Sequence, residues 1–262
     1  MIDSVTVVTA DLDAAVAAYR EGVGLEPGAE HRVSGGPVPE LEGRRSVVLS
    51  GTGAGGAVRA VEIPGARAPE PLTTLGWAAA EILVADADEA TARARAAGLR
   101  VLVEPRPVGA GGGLRAAQVA GPAGEGVYLT QVDRAPEGFT LPRPSGPVGP
   151  VFIAVLASGD LETSRAALEE RLPARRVTDH RLPVRVLNAQ LGRPDGTLHR
   201  ISTLQLPERC AVEVDQYPAD VAAAPGRRSP RDGGIVLVTL RGGGPSGVWN
   251  VSGAGGALMA SI

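Results

Sequence analysis

Polar side chains alternate with apolar ones along short stretches in the second half of the chain. Glu213 and Asp215 are interleaved with Val212 and Val214, which predicts a strand with one polar and one apolar face. The same argument groups further polar residues on that face: Asn188, Gln190, Thr203 and Gln205. Such a wall could orient a ligand by hydrogen bonds, and an enclosed carboxylate could move a proton. A wall that merely faces solvent fits the pattern equally well.

A second polar set precedes it in the chain and consists of Glu81, Gln118, Tyr128 and Thr130. The Tyr128 phenol could polarise a substrate carbonyl or act as a general acid, although a ring that only fills space fits the position as well. We therefore predict three catalytic groups, which are Glu81, Tyr128 and Glu213. The predicted substrate-binding residues are Gln118, Thr130, Asn188, Gln190, Gln205 and Asp215.

The composition removes several other chemistries. The sequence contains no lysine, since all 26 of its Lys and Arg residues are arginine. The 262 residues include only three histidines and one cysteine. This excludes a lysine Schiff base, a phosphate-loop lysine, a disulfide framework and a thiolate zinc cluster. A net charge of -3 and the lack of any apolar run of about 18 residues predict a small-molecule partner, no nucleic-acid or membrane partner, and a cytoplasmic location.

The elements that would position these residues recur with a period. Asp11, Asp86 and Asp160 each follow a β-branched run and precede an alanine-rich helical pattern, and they are 75 and 74 residues apart. Three β-rich runs follow each helix, and in the third unit the first of these runs is residues 184–191. The pattern predicts a repeated βαβββ module. A fourth module starts at Gly234, but the glycine-rich residues 242–247 replace its helix.

One glycine motif mimics a phosphate-binding loop. Residues 51–56 have the spacing GxGxxG and follow a predicted strand. A β-pattern ending at Pro64 comes next, whereas a phosphate loop needs a helix N-terminus there. The motif therefore predicts a hairpin turn.

The period and two local motifs together resemble a known superfamily over nearly the whole chain. The motifs are Asp11-Leu-Asp13 followed by the run from Ala18 to Leu25, and the hairpin that leads from Gly121 to Tyr128. They are similar to the vicinal oxygen chelate superfamily, which includes glyoxalase, bleomycin-resistance and extradiol dioxygenase proteins. The resemblance implies an α+β fold in which βαβββ modules pair edge to edge into half-open barrels. The concave face of such a barrel holds the ligand and often a divalent metal.

This resemblance predicts a division of the chain into two halves. Residues 1–135 form the first barrel from modules 1–64 and 75–132, and residues 136–150 form a linker. Residues 151–262 form the second half from module 151–217 and the truncated module 233–262, which lacks its helix. The second half is then open, so we expect that a homodimer could complete it.

The family's metal ligands are a histidine on a module's first strand and a glutamate on its last strand. The matching first-strand positions hold Ser4, Ala79, and Phe152 or Ile153. The matching last-strand positions hold Ala60 (with Glu62 two residues on), Tyr128 and Glu213. The resemblance therefore implies that the family metal site has mostly been lost. His199 near Glu213 is the pair that could rebuild a metal site.

These observations lead to one main functional hypothesis and two alternatives. We expect a metal-independent lyase, isomerase or hydrolase that acts by proton transfer on a small carbonyl-containing or aromatic metabolite, with no cofactor. The first alternative is a non-catalytic protein that binds and sequesters a small molecule, as bleomycin-resistance relatives do. The second is an enzyme that depends on a divalent metal held by Glu213 and His199.

Overall fold

A computed structural model describes residues 1–109, 112–223, 229–242 and 246–262 of the chain. In chain order the elements are β1 (Ile2–Thr9), α1 (Leu12–Ala17), β2 (Glu26–Pro27), β3 (His31–Arg32), β4 (Arg45–Ser50), β5 (Ala57–Glu62), β6 (Gly76–Val84), α2 (Ala87–Ala96), β7 (Val101–Val108), β8 (Leu114–Ala120), β9 (Gly126–Val132), β10 (Val148–Ser158), α3 (Leu161–Arg171), β11 (Arg176–Pro183), α4 (Arg185–Gln190), β12 (Leu198–Gln205), β13 (Ala211–Gln216), α5 (Ala219–Ala222), β14 (Gly234–Leu240), β15 (Gly247–Asn250) and β16 (Leu258–Ser261). A π-helical turn (Ala18–Val23) extends α1, and short 3-10 turns occupy Pro39–Leu41, Pro207–Arg209 and Pro230–Asp232.

No helix among the described residues is long and apolar enough to cross a membrane.

The three aspartates predicted to start helices do so. Asp11, Asp86 and Asp160 each accept a backbone N–H from two or three residues further on, at 2.8 to 3.1 Å. These bonds satisfy donors that the first helical turn leaves unpaired. Gly98 follows α2 with a φ of +83°, the left-handed conformation that ends a helix. The repeat of strand, cap and helix is therefore confirmed.

The third module departs from the predicted order of strands. Residues 184–191, predicted as a strand, form the helix α4, and the strand β11 lies just before them at Arg176–Pro183. Most residues of β11 are exposed, so the sequence there shows no alternating apolar face. Pro183 ends β11, since proline cannot donate to a ladder, and α4 follows with Val186 and Leu187 buried.

The strands form two eight-stranded sheets. The order in the first sheet is β15-β16-β14-β1-β5-β4-β2, with β3 also paired to β4, and the order in the second is β11-β12-β13-β10-β6-β9-β8-β7. Module one therefore pairs with module four, and module two pairs with module three. Both junctions are antiparallel pairs of first strands, β1 with β14 and β6 with β10.

This arrangement differs from the predicted pairing in chain order, which placed one barrel in residues 1–135 and the other in 151–262. The first strands β1, β6, β10 and β14 are all largely buried, and apolar residues dominate β6, β10 and β14. Burial is common to all four strands, so it does not by itself select a partner. Residues 148–150, predicted as the end of the linker, belong to β10, whose 11 residues are all buried.

The fourth module lies in the first sheet beside module one. Between β14 and β15 the structure describes residues 241, 242 and 246, and none of them is helical. Residues 243–245 lie outside the described ranges. The truncated module completes the first sheet with β14, β16 and β15. The homodimer was predicted because the second half was expected to be an open barrel, and the described part of the chain forms no such open half. Self-association stays a prediction.

The glycine-rich motif at residues 51–56 is the hairpin between β4 and β5, as predicted. The two sheets also touch here, since Gly56 and Val151 exchange backbone hydrogen bonds at 3.1 and 2.8 Å. A Cβ placed on Gly51 would lie 1.8 Å from the carbonyl oxygen of Gly149. The glycines therefore permit close approach of two backbones rather than phosphate binding.

Candidate functional site

The predicted polar residues of module two share one face of the second sheet. Glu81 on β6 lies beside Tyr128 on β9, and Tyr128 lies opposite Gln118 on β8. Thr130, two residues after Tyr128, points to the same side because side chains alternate along a strand. Thr130 Oγ1 donates a hydrogen bond of 3.1 Å to Glu81 Oε2. The structure thus brings this set together, as the alternation indicated.

The polar residues of module three face the same side. Glu213 on β13 lies opposite Thr203 on β12 and beside Val155 on β10. The strand β10 also pairs with β6, and Ile153 lies opposite Glu81. Residues that are paired across adjacent strands point to the same side of a sheet, so Glu81 and Glu213 share one face. Two modules predicted to lie in separate barrels therefore supply one cleft.

Glu81 is half-buried on this face. Burial, followed by the nearby charge of Glu213, raises the pKa of the Glu81 carboxyl to about 8, although the hydrogen bond from Thr130 acts in the opposite direction. The neutral acid therefore predominates at pH 7. In that state Glu81 carries an O–H that can donate a proton.

Glu213 and Asp215 are the other two carboxyl groups of the cleft. Burial raises the pKa of half-buried Glu213 to about 7. Asp215 is only 2% exposed, and burial followed by the charges of Glu213 and Glu81 holds its pKa well above the ordinary value. Asp215 Oδ1 has no hydrogen-bond partner among the residues that the structure describes. These three groups titrate as a set.

Tyr128 is a buried phenol directed at these carboxyl groups. Burial raises its pKa well above 10, and the charges of Asp215, Tyr217, Glu213 and Glu81 act in the same direction. The hydroxyl therefore stays protonated throughout the physiological range and remains a hydrogen-bond donor.

The registers show that the two modules place different groups at equivalent positions. Glu81 is beside Tyr128 on the last strand of its module, and Val155 is beside Glu213 on the last strand of the next. The junction pairs Glu81 with Ile153 and Val155 with Ala79, so the two-fold relation maps Glu81 onto Val155 and Tyr128 onto Glu213. The phenol therefore occupies the counterpart of the Glu213 position, in agreement with the alignment made from sequence.

The helix α4 and Tyr217 were not predicted as parts of this site. Val186 and Leu187 of α4 belong to the same hydrophobic cluster as Tyr128, Ile153 and Tyr217. This cluster places α4 over the face that carries the carboxyl groups. Tyr217 continues the alternation of Glu213 and Asp215 by two residues, a signal that was available in the sequence.

Three amides predicted to bind substrate make hydrogen bonds within the protein. Asn188, on α4, donates to the Thr197 carbonyl at 3.1 Å. Gln190, at the end of α4, donates to Glu70 Oε1 at 2.9 Å and to the Pro71 carbonyl at 3.0 Å. The Gln205 amide is buried and bridges backbone groups in three neighbouring segments: Thr140 N, Leu206 O and Cys210 O. Their local role is therefore to hold α4 and the β12–β13 turn.

His199 is buried, and its Nε2 lies 2.7 Å from Asn188 Oδ1. Burial, followed by the charge of Arg193, lowers the pKa of His199. The ring is thus bonded to α4 rather than placed with Glu213 as a ligand pair.

The donor set does not fit the metal that the fold implies. At the positions equivalent to the family's ligands in this sheet stand Ala79, Tyr128, Ile153 and Glu213, of which only Glu213 is a ligand of the usual kind. Within the described ranges no three His, Cys, Asp or Glu side chains converge on a point that could hold a metal ion.

Comparison with known proteins supports the fold over the full chain. The family model of the Glyoxalase/Bleomycin resistance protein/Dioxygenase superfamily matches residues 1–128. The crystal structure of glyoxalase I from Zea mays is 18% identical with a TM-score of 0.60, over 92% of this chain and 73% of that one. A putative dioxygenase from Bacillus subtilis is 12% identical with a TM-score of 0.64, over 99% of this chain and 84% of that one. No curated protein matches the sequence.

At these identities the solved structures indicate a shared fold and not a shared reaction. Their coverage includes modules three and four, which lie beyond the matched residues 1–128. Residues 1–128 match the model of the Glyoxalase/Bleomycin resistance protein/Dioxygenase superfamily, and the chain as a whole shares the fold of these solved structures.

Proposed function

We propose that the cleft of the second sheet catalyses proton transfer on a small carbonyl-containing metabolite, as an isomerase or lyase that needs no metal. The observation that carries the proposal is the meeting of Glu81, Glu213 and Tyr128 on one face, with two carboxyl pKa values raised toward neutrality. General acids and bases work best when their pKa lies near the working pH. Burial of such groups in a cleft is typical of catalytic sites.

The three groups have complementary roles in this mechanism. Glu213, partly ionised at pH 7, takes a proton from the carbon next to the carbonyl, and the electron pair of the broken C–H bond moves into an enolate. Tyr128 donates a hydrogen bond to the enolate oxygen. In the isomerisation of a 2-hydroxy carbonyl compound, Glu81, held by Thr130, gives its proton to the former carbonyl carbon, while the proton of the 2-hydroxyl passes to the enolate oxygen. In an elimination, Glu81 gives its proton to the leaving group on the next carbon as the carbonyl re-forms. Exchange with water then restores the proton on Glu81 and removes the one on Glu213.

Two strand spacings separate the two carboxyl-bearing residues. Glu81 and Glu213 stand on strands that flank β10, so about 10 Å of sheet separates their backbones, two strand spacings of roughly 4.8 Å each. Ile153 and Val155 form the apolar floor between them. An apolar floor with polar groups on opposite sides is the usual construction of a small-molecule site.

Solvent exchange at carbon tests the first step directly. Small hydroxy-aldehydes, ketones and 2-oxo acids would be incubated with the protein in heavy water, and loss of the proton next to the carbonyl would be followed by proton NMR. We expect Glu213→Gln to slow exchange by about 10²-fold or more, the usual contribution of a general base. Tyr128→Phe should slow it by about 10²-fold, as loss of an oxyanion donor does.

Glu21→Gln is the matched control, since Glu21 is exposed and lies in the first module. It should exchange substrate at the wild-type rate. A substrate that binds without exchange or turnover, with an affinity unaffected by Tyr128→Phe and Glu213→Gln, would refute the proposal and favour sequestration. Activity that is abolished by a chelator and restored by a divalent ion would contradict metal independence.

A further inference from the structure

A second pocket lies at the end of the β12–β13 hairpin, beside the segment that leads into β10. It has a volume of about 560 Å³, and three of its eight lining residues are Arg175, Arg176 and Arg209. Glu208 is the single carboxylate among those eight. The lining therefore carries a formal charge of about plus two, in a protein whose net charge is negative.

The three guanidinium groups are not neutralised by the protein. Among the described residues none of them has a carboxylate oxygen within 4 Å, whereas nine other arginines do. All three arginines are exposed at the mouth of this cavity, and like charges that line one cavity repel one another. An anion that enters the cavity would relieve this repulsion.

Arg176 is held in place before any ligand arrives. Its Nε donates a hydrogen bond of 3.1 Å to Thr178 Oγ1, and its guanidinium lies 5.8 Å from the centre of the Phe139 ring. A Cβ on Gly138 would lie 1.8 Å from its Nη1, so any other residue there would displace the guanidinium. Such preorganisation reduces the conformational entropy lost on binding.

Arg209 is presented by a strained turn. Glu208 and Arg209 have φ values of 62° and 63°, a left-handed conformation that is unfavourable for residues with a side chain. The buried Gln205 amide stabilises the turn by donating to the carbonyls of Leu206 at 3.1 Å and Cys210 at 2.8 Å. Gln205 Oε1 also accepts the Thr140 N–H at 3.1 Å, which fixes the opposite wall. Strain of this kind is found preferentially at ligand sites.

We propose that this pocket binds the phosphate group of a small phosphomonoester. The plus-two lining complements a phosphate dianion, and the planar forks of arginine match its oxygens with paired hydrogen bonds. The volume is far larger than a phosphate ion alone requires, so the remainder of the pocket accommodates the organic part of the ester. The proposal does not depend on the chemistry of the carboxyl cleft.

Calorimetric titration at low ionic strength tests the site with three probes: inorganic phosphate, glycerol 3-phosphate and uncharged glycerol. We expect saturable binding of both anions, tighter binding of the ester, and no binding of glycerol. Arg176→Gln and Arg209→Gln should each weaken binding about tenfold or more, as loss of a charge-assisted hydrogen bond does. Arg20→Gln, which removes the same charge from an exposed position in the first module, should leave binding unchanged.

Three results would overturn the proposal. The first is an absence of saturable anion binding by the wild-type chain, a measurement that needs no variant. The second is equal weakening by Arg20→Gln and by the pocket variants, which would indicate a general charge effect. The third is equal affinity for the ester and for free phosphate, which would contradict the assignment to an ester.

Discussion

Replacing Glu213 by glutamine should stabilise the protein in a manner that depends on pH. Glutamine keeps the size and one hydrogen-bonding oxygen of the side chain but cannot ionise. The pKa of Glu213 in the folded protein is about 7, against an ordinary value of 4.5. The folded state therefore favours the neutral carboxyl, whereas the unfolded chain releases this proton near pH 4.5.

The sign follows from proton binding in the two states. Between pH 4.5 and about 7 the unfolded chain binds fewer protons than the folded one, so the free energy of unfolding falls as the pH rises. The contribution of the neutral form is fully present below pH 4.5 and is lost as the pH passes through 7. Each unit of pKa is worth about 1.4 kcal/mol, so the rise of Glu213 amounts to about 3 kcal/mol by pH 8. This is a large share of the 5 to 15 kcal/mol by which domains are typically stable.

Urea unfolding of the wild-type chain, Glu213→Gln and Glu21→Gln at pH 4, 6 and 8 measures this effect. The stability of Glu213→Gln relative to wild type should increase by about 3 kcal/mol from pH 4 to pH 8, and that of Glu21→Gln should not change. The pKa of Glu81 should also fall in Glu213→Gln, because the Glu213 charge is one of the causes that raise it. A stability difference between Glu213→Gln and wild type that is constant with pH would refute the assignment of a raised pKa.

Three further substitutions test the site and the fold. Thr130→Val removes the hydrogen bond that lowers the pKa of Glu81, so a carbon-13 NMR titration should place that pKa further above its wild-type value; an unchanged or lower value would contradict this role. Gly51→Ala would bring a Cβ to within 1.8 Å of the Gly149 carbonyl oxygen, so urea unfolding should show a loss of about 1 to 3 kcal/mol, and wild-type stability would argue against close contact of the sheets. Asp160→Ala removes the cap of α3 and should cost about 1 kcal/mol in the same assay, with no loss expected if the side chain does not cap the helix.

Local features of the fold followed from the sequence because local physics decides them. Asp11, Asp86 and Asp160 cap their helices through short-range hydrogen bonds, and the regular spacing of these residues predicted the repeated modules. The face shared by Glu213 and Asp215 followed from strand alternation, as did that of Tyr128 and Thr130. The role of these residues on a substrate stays a prediction that the proposed exchange experiment addresses.

The partners of the modules did not follow from the sequence because long-range pairing decides them. The apolar first strands offer similar edges, so nothing in β6 alone specifies β10 rather than β1 as its neighbour. The helix α4 was missed for a related reason, since only the tertiary burial of Val186 and Leu187 distinguishes it from a strand. Asn188 and Gln190 therefore lie on a helix and not on the predicted strand, and their role in binding stays a prediction.

The pairing of module two with module three bears directly on the proposed chemistry. Glu81, Glu213 and Asp215 already oppose one another's ionisation on this face, and a carboxylate in place of Tyr128 would add a fourth like charge. The phenol instead supplies a donor that stays protonated. The second carboxyl of the proposed mechanism, Glu81, stands where module three has Val155, so acid and base come from positions that are not equivalent. This asymmetry suits proton transfer, which needs a proton acceptor and a proton donor present at the same pH.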